Sequence, residues 1–372
     1  MKIFVFGSSI TSSYWNGAAT YYRGIYKQLY ARGHRMIFAE PDAYRRQENR
    51  DAGDFSYVTS IVYRGAADIP ALLEVARECD LVIKHSGVGV CDELLESRVP
   101  ECRSSRTKVA FWDVDAPATL ARLDQDPGDP LRRLIPEYDF VLTYGGGKPV
   151  AENYIRRGAP NCHPIYNALD PETHYAVPSD PGLECDLLFM GHRLPDREPR
   201  VDEFFLRAAE IAPELRFVLG GEGWAGKHLP RNVRWVGHLK SQDHNRANSS
   251  ARMVLNINRA SMADVGFSPP TRIFEAAGAA ACVITDRWDG IENFFRPGRE
   301  ILVAANAEEV VGYLRHYSRP KSAEVGHNML QRAIAEHTYQ RRADYFESIA
   351  VSRSGADQLE LTAGGPSSRA GL

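Results

Sequence analysis

Short apolar runs alternate with longer amphipathic stretches along most of this chain, and that alternation predicts its architecture. Lys2–Phe6 is an apolar run ending at Gly7-Ser8-Ser9, and the apolar stripe over 18–32 closes at Gly33. The runs at 34–38, 81–84, 108–112, 140–143 and 162–166 read as further strands, and 69–78, 90–97 and 150–157 as helices. The stretch after 112 reads as a polar loop. Strands this apolar are buried on both faces, and their alternation with helices predicts an α/β, doubly wound parallel sheet. Ligands of such sheets bind at the carboxyl ends of the strands. That rule marks Gly7–Ser9, His85–Gly89, Asp113–Asp115 and Tyr144–Gly147 as one rim.

The alternation stops at Asn167–Gly182, a polar stretch with three prolines that has the composition of a linker. A second series follows, with strands over 185–190, 216–219, 233–236, 253–256 and 281–285. Its helices are expected over 201–211, 243–250, 270–279 and 307–316, with one last helix over 323–349. The two halves share an architecture without sharing a sequence repeat. The expected organisation is a Rossmann-like domain over 1–168, a linker over 169–182 and a second such domain over 183–330. A crossover helix over 331–350 and a Gly/Ser/Ala-rich tail over 351–372, expected to be disordered, complete the chain.

At 372 residues, 44% hydrophobic and 25% charged, the chain suits two soluble domains with full cores. Its 45 basic and 48 acidic residues leave a net charge of −3, which supplies no global field for a nucleic-acid partner. The six cysteines form no CxxC pair and no zinc spacing, so reduced thiols are expected. No apolar run reaches the length of a membrane span, and the opening Met-Lys-Ile-Phe-Val-Phe enters a strand directly. A cytoplasmic protein is the expectation; the oligomeric state, a homo-oligomer included, stays open.

Gly266-Phe-Ser-Pro-Pro-Thr-Arg-Ile-Phe-Glu275 carries the most chemistry. Ser268 suits an N-cap and Pro269 a first helical position, so free amides and a positive dipole end are expected there. Such a helix start suits a phosphate. Arg272 adds a fork of donors, and Glu275, three residues on, lies on the same face, where it can accept two ribose hydroxyls. The competing reading is an ordinary capped helix with a surface Arg–Glu pair. On the rim, His85 has the pKa of a general base or phosphate ligand, against a satisfied histidine. Asp113-Val-Asp115 places two carboxylates on one side, for a base, a hydroxyl ligand or a metal, against plain loop structure. Tyr144 can stack on a sugar or simply pack. Gly7-Ser-Ser is not a dinucleotide fingerprint, which makes a nicotinamide site a weak reading.

Asp186-Leu-Leu-Phe-Met-Gly-His-Arg193, Val236-Gly-His238, Ser268…Arg272-Ile-Phe-Glu275 and His337-Thr-Tyr339…Arg342 together resemble the GT-B glycosyltransferases. The resemblance is to their spore-maturation (CgeB-type) group, and it extends to Tyr166–Pro171, Ile83–Gly89 and Trp112–Pro117. It implies two Rossmann-like domains facing across a cleft, with a C-terminal helix crossing between them. It implies a nucleotide-sugar donor, a UDP-sugar, on the second domain and a hydroxyl acceptor on the first, with no metal or other cofactor. Carried over by position, Gly191, Arg193, Gly237, His238, Ser268, Arg272, Ile273 and Glu275 would bind the donor. Ser9, Trp112 and Tyr144 would face the acceptor, and Asp113, Asp115 and His85 are the candidate catalytic groups. Many retaining relatives have a second glutamate eight residues before the ribose one; Phe267 stands there. Neither the sugar nor the stereochemical outcome follows from the resemblance. A nucleotide-sugar epimerase of the same architecture and a catalytically silent nucleotide-sugar-binding protein remain as alternatives.

Overall fold

The computed structural model describes residues 1–14, 16–239 and 241–351. The first seven strands are β1 (Lys2–Phe6), β2 (Arg35–Pro41), β3 (Thr59–Tyr63), β4 (Leu81–His85), β5 (Lys108–Asp113), β6 (Phe140–Thr143) and β7 (Cys162–Pro164). They form one wholly parallel sheet in the order β3-β2-β1-β4-β5-β6-β7. Six more form a second parallel sheet: β8 (Cys185–Met190), β9 (Phe217–Gly220), β10 (Val233–Trp235), β11 (Ala251–Asn256), β12 (Val283–Asp286) and β13 (Leu302–Ala304). Their order is β10-β9-β8-β11-β12-β13. Apolar clusters cover both faces of each sheet, as the near-continuous hydrophobicity of the strands requires.

In both sheets the first strand lies inside and the order reverses beside it, between β1 and β4 and between β8 and β11. Connections leave in opposite directions at such a point, so a crevice opens at the strand ends. Two of these crevices face each other here, and the loops after β1, β4, β8 and β11 line them.

Several expectations change. The edge strand β3 and the three-residue β13 were not anticipated, because neither presents a distinct apolar run between turn signals. The stretch after β5 is a helix, Ala116–Gln125, with a proline near its start. The single final helix is two, Arg319–Glu336 and Tyr339–Val351. The break falls where Leu169 inserts as a strand-like bridge: its amide donates to the His337 carbonyl at 2.8 Å and its carbonyl accepts from the Tyr339 amide at 3.1 Å. The second of these helices then packs Tyr339, Ala343, Phe346 and Ile349 into the first domain, so the chain does cross back. The residues expected as a disordered tail beyond 351 lie outside the described residues. Among the described residues no helix is long and apolar enough to cross a membrane.

Candidate active site

Two adjoining cavities, about 510 and 350 Å³, occupy the space between the sheet ends and share Gly17, Leu194, Arg197, Thr271 and Arg272 in their walls. The smaller is built largely from the second domain, with Gly191, His192, His238, His244 and Glu275. The larger has the first domain on one side, with Ser8, Tyr22, Arg46, Asp115 and Tyr144.

The helix Thr271–Gly278 starts between them, and its cap differs from the expectation. Pro270 takes the extended cap conformation and no side chain caps the helix, so Ser268 is not the N-cap. The Ser268 hydroxyl instead accepts from the Gly146 amide of the first domain at 3.0 Å, and the Phe267 carbonyl accepts from the same amide at 3.0 Å. Phe267 holds φ +47, a left-handed backbone that few side chains adopt. The helix start thus remains open towards the cavity while the segment before it is fastened across the cleft.

Arg272 and Arg197 project beside this opening. The Arg272 guanidinium donates one weak bond, at 3.4 Å, to the Ile257 carbonyl, and its Nε has no partner. Arg197 is 4% exposed, donates to the His192 carbonyl, and likewise has an unpartnered Nε. Among the described residues neither pairs with a carboxylate. Burial, and then the charge of Arg272, pushes Arg197 down to about 9, and burial lowers Arg272 as well. Two like charges in a desolvated cleft with no carboxylate in contact are costly to hold, and an anion between them offsets that cost. Asn258, 1% exposed, lines the same wall with both amide atoms unpartnered.

Glu275 is 13% exposed at the other end of the helix face, flanked by His244 and His174. His244 Nε2 lies 3.3 Å from the Leu239 carbonyl, which can only accept, so that nitrogen carries a proton. Its Nδ1 lies 3.4 Å from Glu275 Oε2, and a second proton there makes the ring an imidazolium paired with the carboxylate. Burial opposes charging His244, but Glu275 outweighs it and raises the ring above its ordinary value. Burial likewise opposes charging Glu275; His244, His174 and Arg272 prevail and hold its carboxyl below the ordinary range. The three ligand atoms lie within 4.8 Å of one another, a set that also suits a transition metal. A metal there would occupy the carboxylate that a ribose needs.

The ion pair sets a pH window. A raised histidine contributes stability below its ordinary 6.5 and loses it as pH climbs through the raised value; a lowered carboxyl contributes above its ordinary 4.5 and loses it as pH falls through the lowered one. His244→Gln is therefore expected to lower the melting temperature most between those two values and least at alkaline pH. Thermal unfolding of both proteins across pH checks this; a pH-independent difference contradicts the pair.

On the acceptor side the structure separates the two aspartates. Asp113 is fully buried and accepts from the Ser86 hydroxyl at 2.7 Å, the Tyr154 hydroxyl at 2.5 Å and the Asp115 amide at 3.0 Å. It braces the loop and does not reach the cleft. Asp115 is exposed to the larger cavity and, among the described residues, is the one carboxylate lining it. The cavity walls desolvate it, and Asp113 adds repulsion, so its carboxyl rises from the ordinary value.

Other expectations are corrected. His85 is 0% exposed, bonded to the Tyr26 hydroxyl at 2.5 Å and stacked on Trp112 at 5.3 Å. Burial holds it neutral, well below its usual pKa, as a core histidine. Trp112 is fully buried between His85 and Phe346, and Ser9 is buried with its hydroxyl accepting from the Ser12 amide. Neither lines the cavities. Ile273 is a core residue of the second domain, on the far face of its helix. Arg193 turns away to pair with Glu198 at 2.7 Å; Arg197, at the end of the same loop, takes the position facing the cleft. Gly237, at φ +72, shapes the chain and accepts from the Gly221 amide at 2.7 Å, while His238 reaches the cavity and stacks on His192 at 5.7 Å. Gly191, Ser268, Arg272, Glu275 and Tyr144 do line the cleft. Arg197, Asn258, His192 and His244 were missed. Only a cluster of arginines after a strand-end glycine hinted at the first.

Comparison with known proteins agrees with this fold. Residues 197–348 match a family described as glycosyl transferase-like. No curated protein sequence matches the chain. Among solved structures it is similar to HepE of Anabaena in complex with UDP and glucose, with TM-score 0.65 and 13% identity over 94% of this chain and 99% of that one. It is also similar to sucrose-phosphate synthase from Thermosynechococcus elongatus, with TM-score 0.65 and 13% identity over 94% and 98%. An alpha-glucosyltransferase in complex with UDP-glucose and DNA matches with TM-score 0.67 and 11% identity over 95% and 100%. The fold is that of the GT-B glycosyltransferases. The glycosyl transferase-like match is confined to residues 197–348, and the CgeB-type subgroup is not reached by these matches.

Proposed function

We propose that this protein transfers a sugar from a UDP-sugar to a hydroxyl acceptor, without a bound metal. One observation carries the reading: Arg197, buried, and Arg272, half-buried, contact no carboxylate among the described residues and stand between an open helix start and a carboxylate poised for a diol. A nucleoside diphosphate has the complementary parts in the same sequence. Its diphosphate meets the guanidinium forks and amides, and its ribose hydroxyls donate to Glu275. As the glycosidic bond breaks, charge grows on the leaving phosphate, where two fixed cations stabilise it more than they stabilise the substrate. The acceptor hydroxyl enters from the first domain, and Asp115 takes its proton. We assign residues 1–168 to the acceptor, 183–330 to the donor and 169–182 to the link between them. The fold neighbours crystallised with UDP or UDP-glucose support the choice of base. Six unpaired cysteines agree with a cytosolic setting.

Calorimetric titration with UDP in EDTA tests the donor site. Wild-type protein is expected to bind, and Glu275→Ala to weaken binding about 10- to 100-fold, the worth of a charged hydrogen-bonding group. Unchanged affinity removes Glu275 from the ribose.

A further inference from the structure

We propose that His174, His244 and Glu275 form an inhibitory site for a divalent transition-metal ion of the zinc class, which the donor must displace. The site stands on the three side chains alone; its inhibitory effect rests on reading Glu275 as the ribose acceptor.

The three ligands come from separate segments: Glu275 from the helix Thr271–Gly278, His244 from the helix Ser241–Ser250 and His174 from the stretch that leads into the second sheet. Their ligand atoms lie within 4.8 Å of one another. His244 Nδ1 stands 3.4 Å from Glu275 Oε2 and His174 Nε2 stands 3.9 Å from Oε1, so one imidazole faces each carboxylate oxygen. Ligands about 2.0–2.2 Å from a tetrahedral zinc stand roughly 3.4 Å from one another, so the set needs little movement to close on an ion.

Hydrogen bonds behind the rings aim both lone pairs at that point. The Thr173 hydroxyl donates to the Asp170 carbonyl at 3.2 Å and so accepts from His174 Nδ1 at 2.9 Å, which leaves Nε2 without a proton. Burial lowers the His174 pKa and keeps that ring neutral. A lone pair therefore faces a carboxylate oxygen, an arrangement that a cation between them relieves. The Leu239 carbonyl fixes the proton of His244 on Nε2 in the same way, and Nδ1 has no hydrogen-bond partner. Backbone carbonyls and hydroxyls behind histidine ligands are the usual means of fixing their tautomer and orientation.

The frame is also built. Asn245 Nδ2 donates to the Thr173 carbonyl at 2.9 Å and its Oδ1 accepts from the Tyr175 amide at 3.3 Å, so His174 is pinned on both sides. The His174 carbonyl passes so close to Gly278 that any side chain there would collide with it. Arg272, which acts on both Glu275 and His244, repels a cation held by charge alone. Two imidazoles and one carboxylate favour zinc, nickel or copper over magnesium or calcium, because imidazole bonding offsets that repulsion. The ion replaces the proton on His244 Nδ1, which passes to solvent. It then engages the Glu275 oxygens that a ribose diol needs.

The test is calorimetric titration of nucleotide-free protein, cleared of metal with EDTA and dialysed, with zinc chloride and separately with magnesium chloride. One zinc per chain is expected, and no magnesium. Thr173→Val, which removes the hydroxyl behind His174, is expected to weaken zinc about 10- to 100-fold, and His174→Ala at least as much. Zinc at about ten times its Kd should weaken UDP binding about tenfold in the wild type and not in His174→Ala, by simple competition. Chelation of zinc by the diphosphate would act on both proteins alike. No bound zinc, equal binding of magnesium, wild-type zinc affinity in both variants, or equal loss of UDP affinity in wild type and His174→Ala overturns the proposal. Failure of UDP to bind in EDTA overturns the donor reading instead, since the zinc titration stands without nucleotide.

Discussion

Asp115→Asn is expected to slow UDP release from UDP-glucose by about 10²- to 10⁴-fold, the usual worth of a general base, with UDP affinity retained. Among the described residues it is the one carboxylate lining the larger cavity, on the wall opposite Arg197 and Arg272. Asparagine keeps its shape and its place before the helix Ala116–Gln125, so the loop is preserved while proton acceptance is lost. The raised carboxyl of Asp115 is a stronger base than an ordinary aspartate, and its neighbour Asp113 has no capacity to replace it. Donor turnover at saturating UDP-glucose, beside UDP titration, reads the two effects separately. Wild-type turnover by the variant would place proton removal elsewhere.

Arg272→Gln and Arg197→Gln are each expected to cost about 10²- to 10³-fold in turnover, the scale for removing one donor to a developing oxyanion. Their effect on stability should run the other way. Each variant removes a guanidinium that desolvation disfavours on balance, and Arg197 is further depressed by Arg272, so the ligand-free protein should melt at a higher temperature. Lost turnover with a raised melting temperature distinguishes the anion site from a folding defect. A lowered melting temperature would mark the arginines as structural. The double variant should lose less than the product of the two single losses, because the groups act on one ligand.

The sequence by itself determined the architecture. Apolar runs such as Lys2–Phe6 and Cys185–Met190 are strands because runs that short and that apolar suit only a buried parallel sheet. Their alternation with helices, and the polar stretch near 169–182, separated the two sheets. Gly191, Arg272, Glu275 and Asp115 were also legible, since strand-end and helix-start positions follow from local pattern. Tertiary structure decided which of the neighbouring candidates face the cleft. Alternation along a strand end cannot tell Asp113, held by Ser86 and Tyr154, from Asp115, because those partners come from distant segments. A loop likewise does not say which of Arg193 and Arg197 turns inward until Glu198 has claimed the first. His85 and Trp112 read as rim residues, yet the helix Tyr339–Val351 returning from the other end of the chain seals them into a core. Local pattern sets where backbone goes, while burial and partnership of a polar side chain depend on contacts with other segments of the chain.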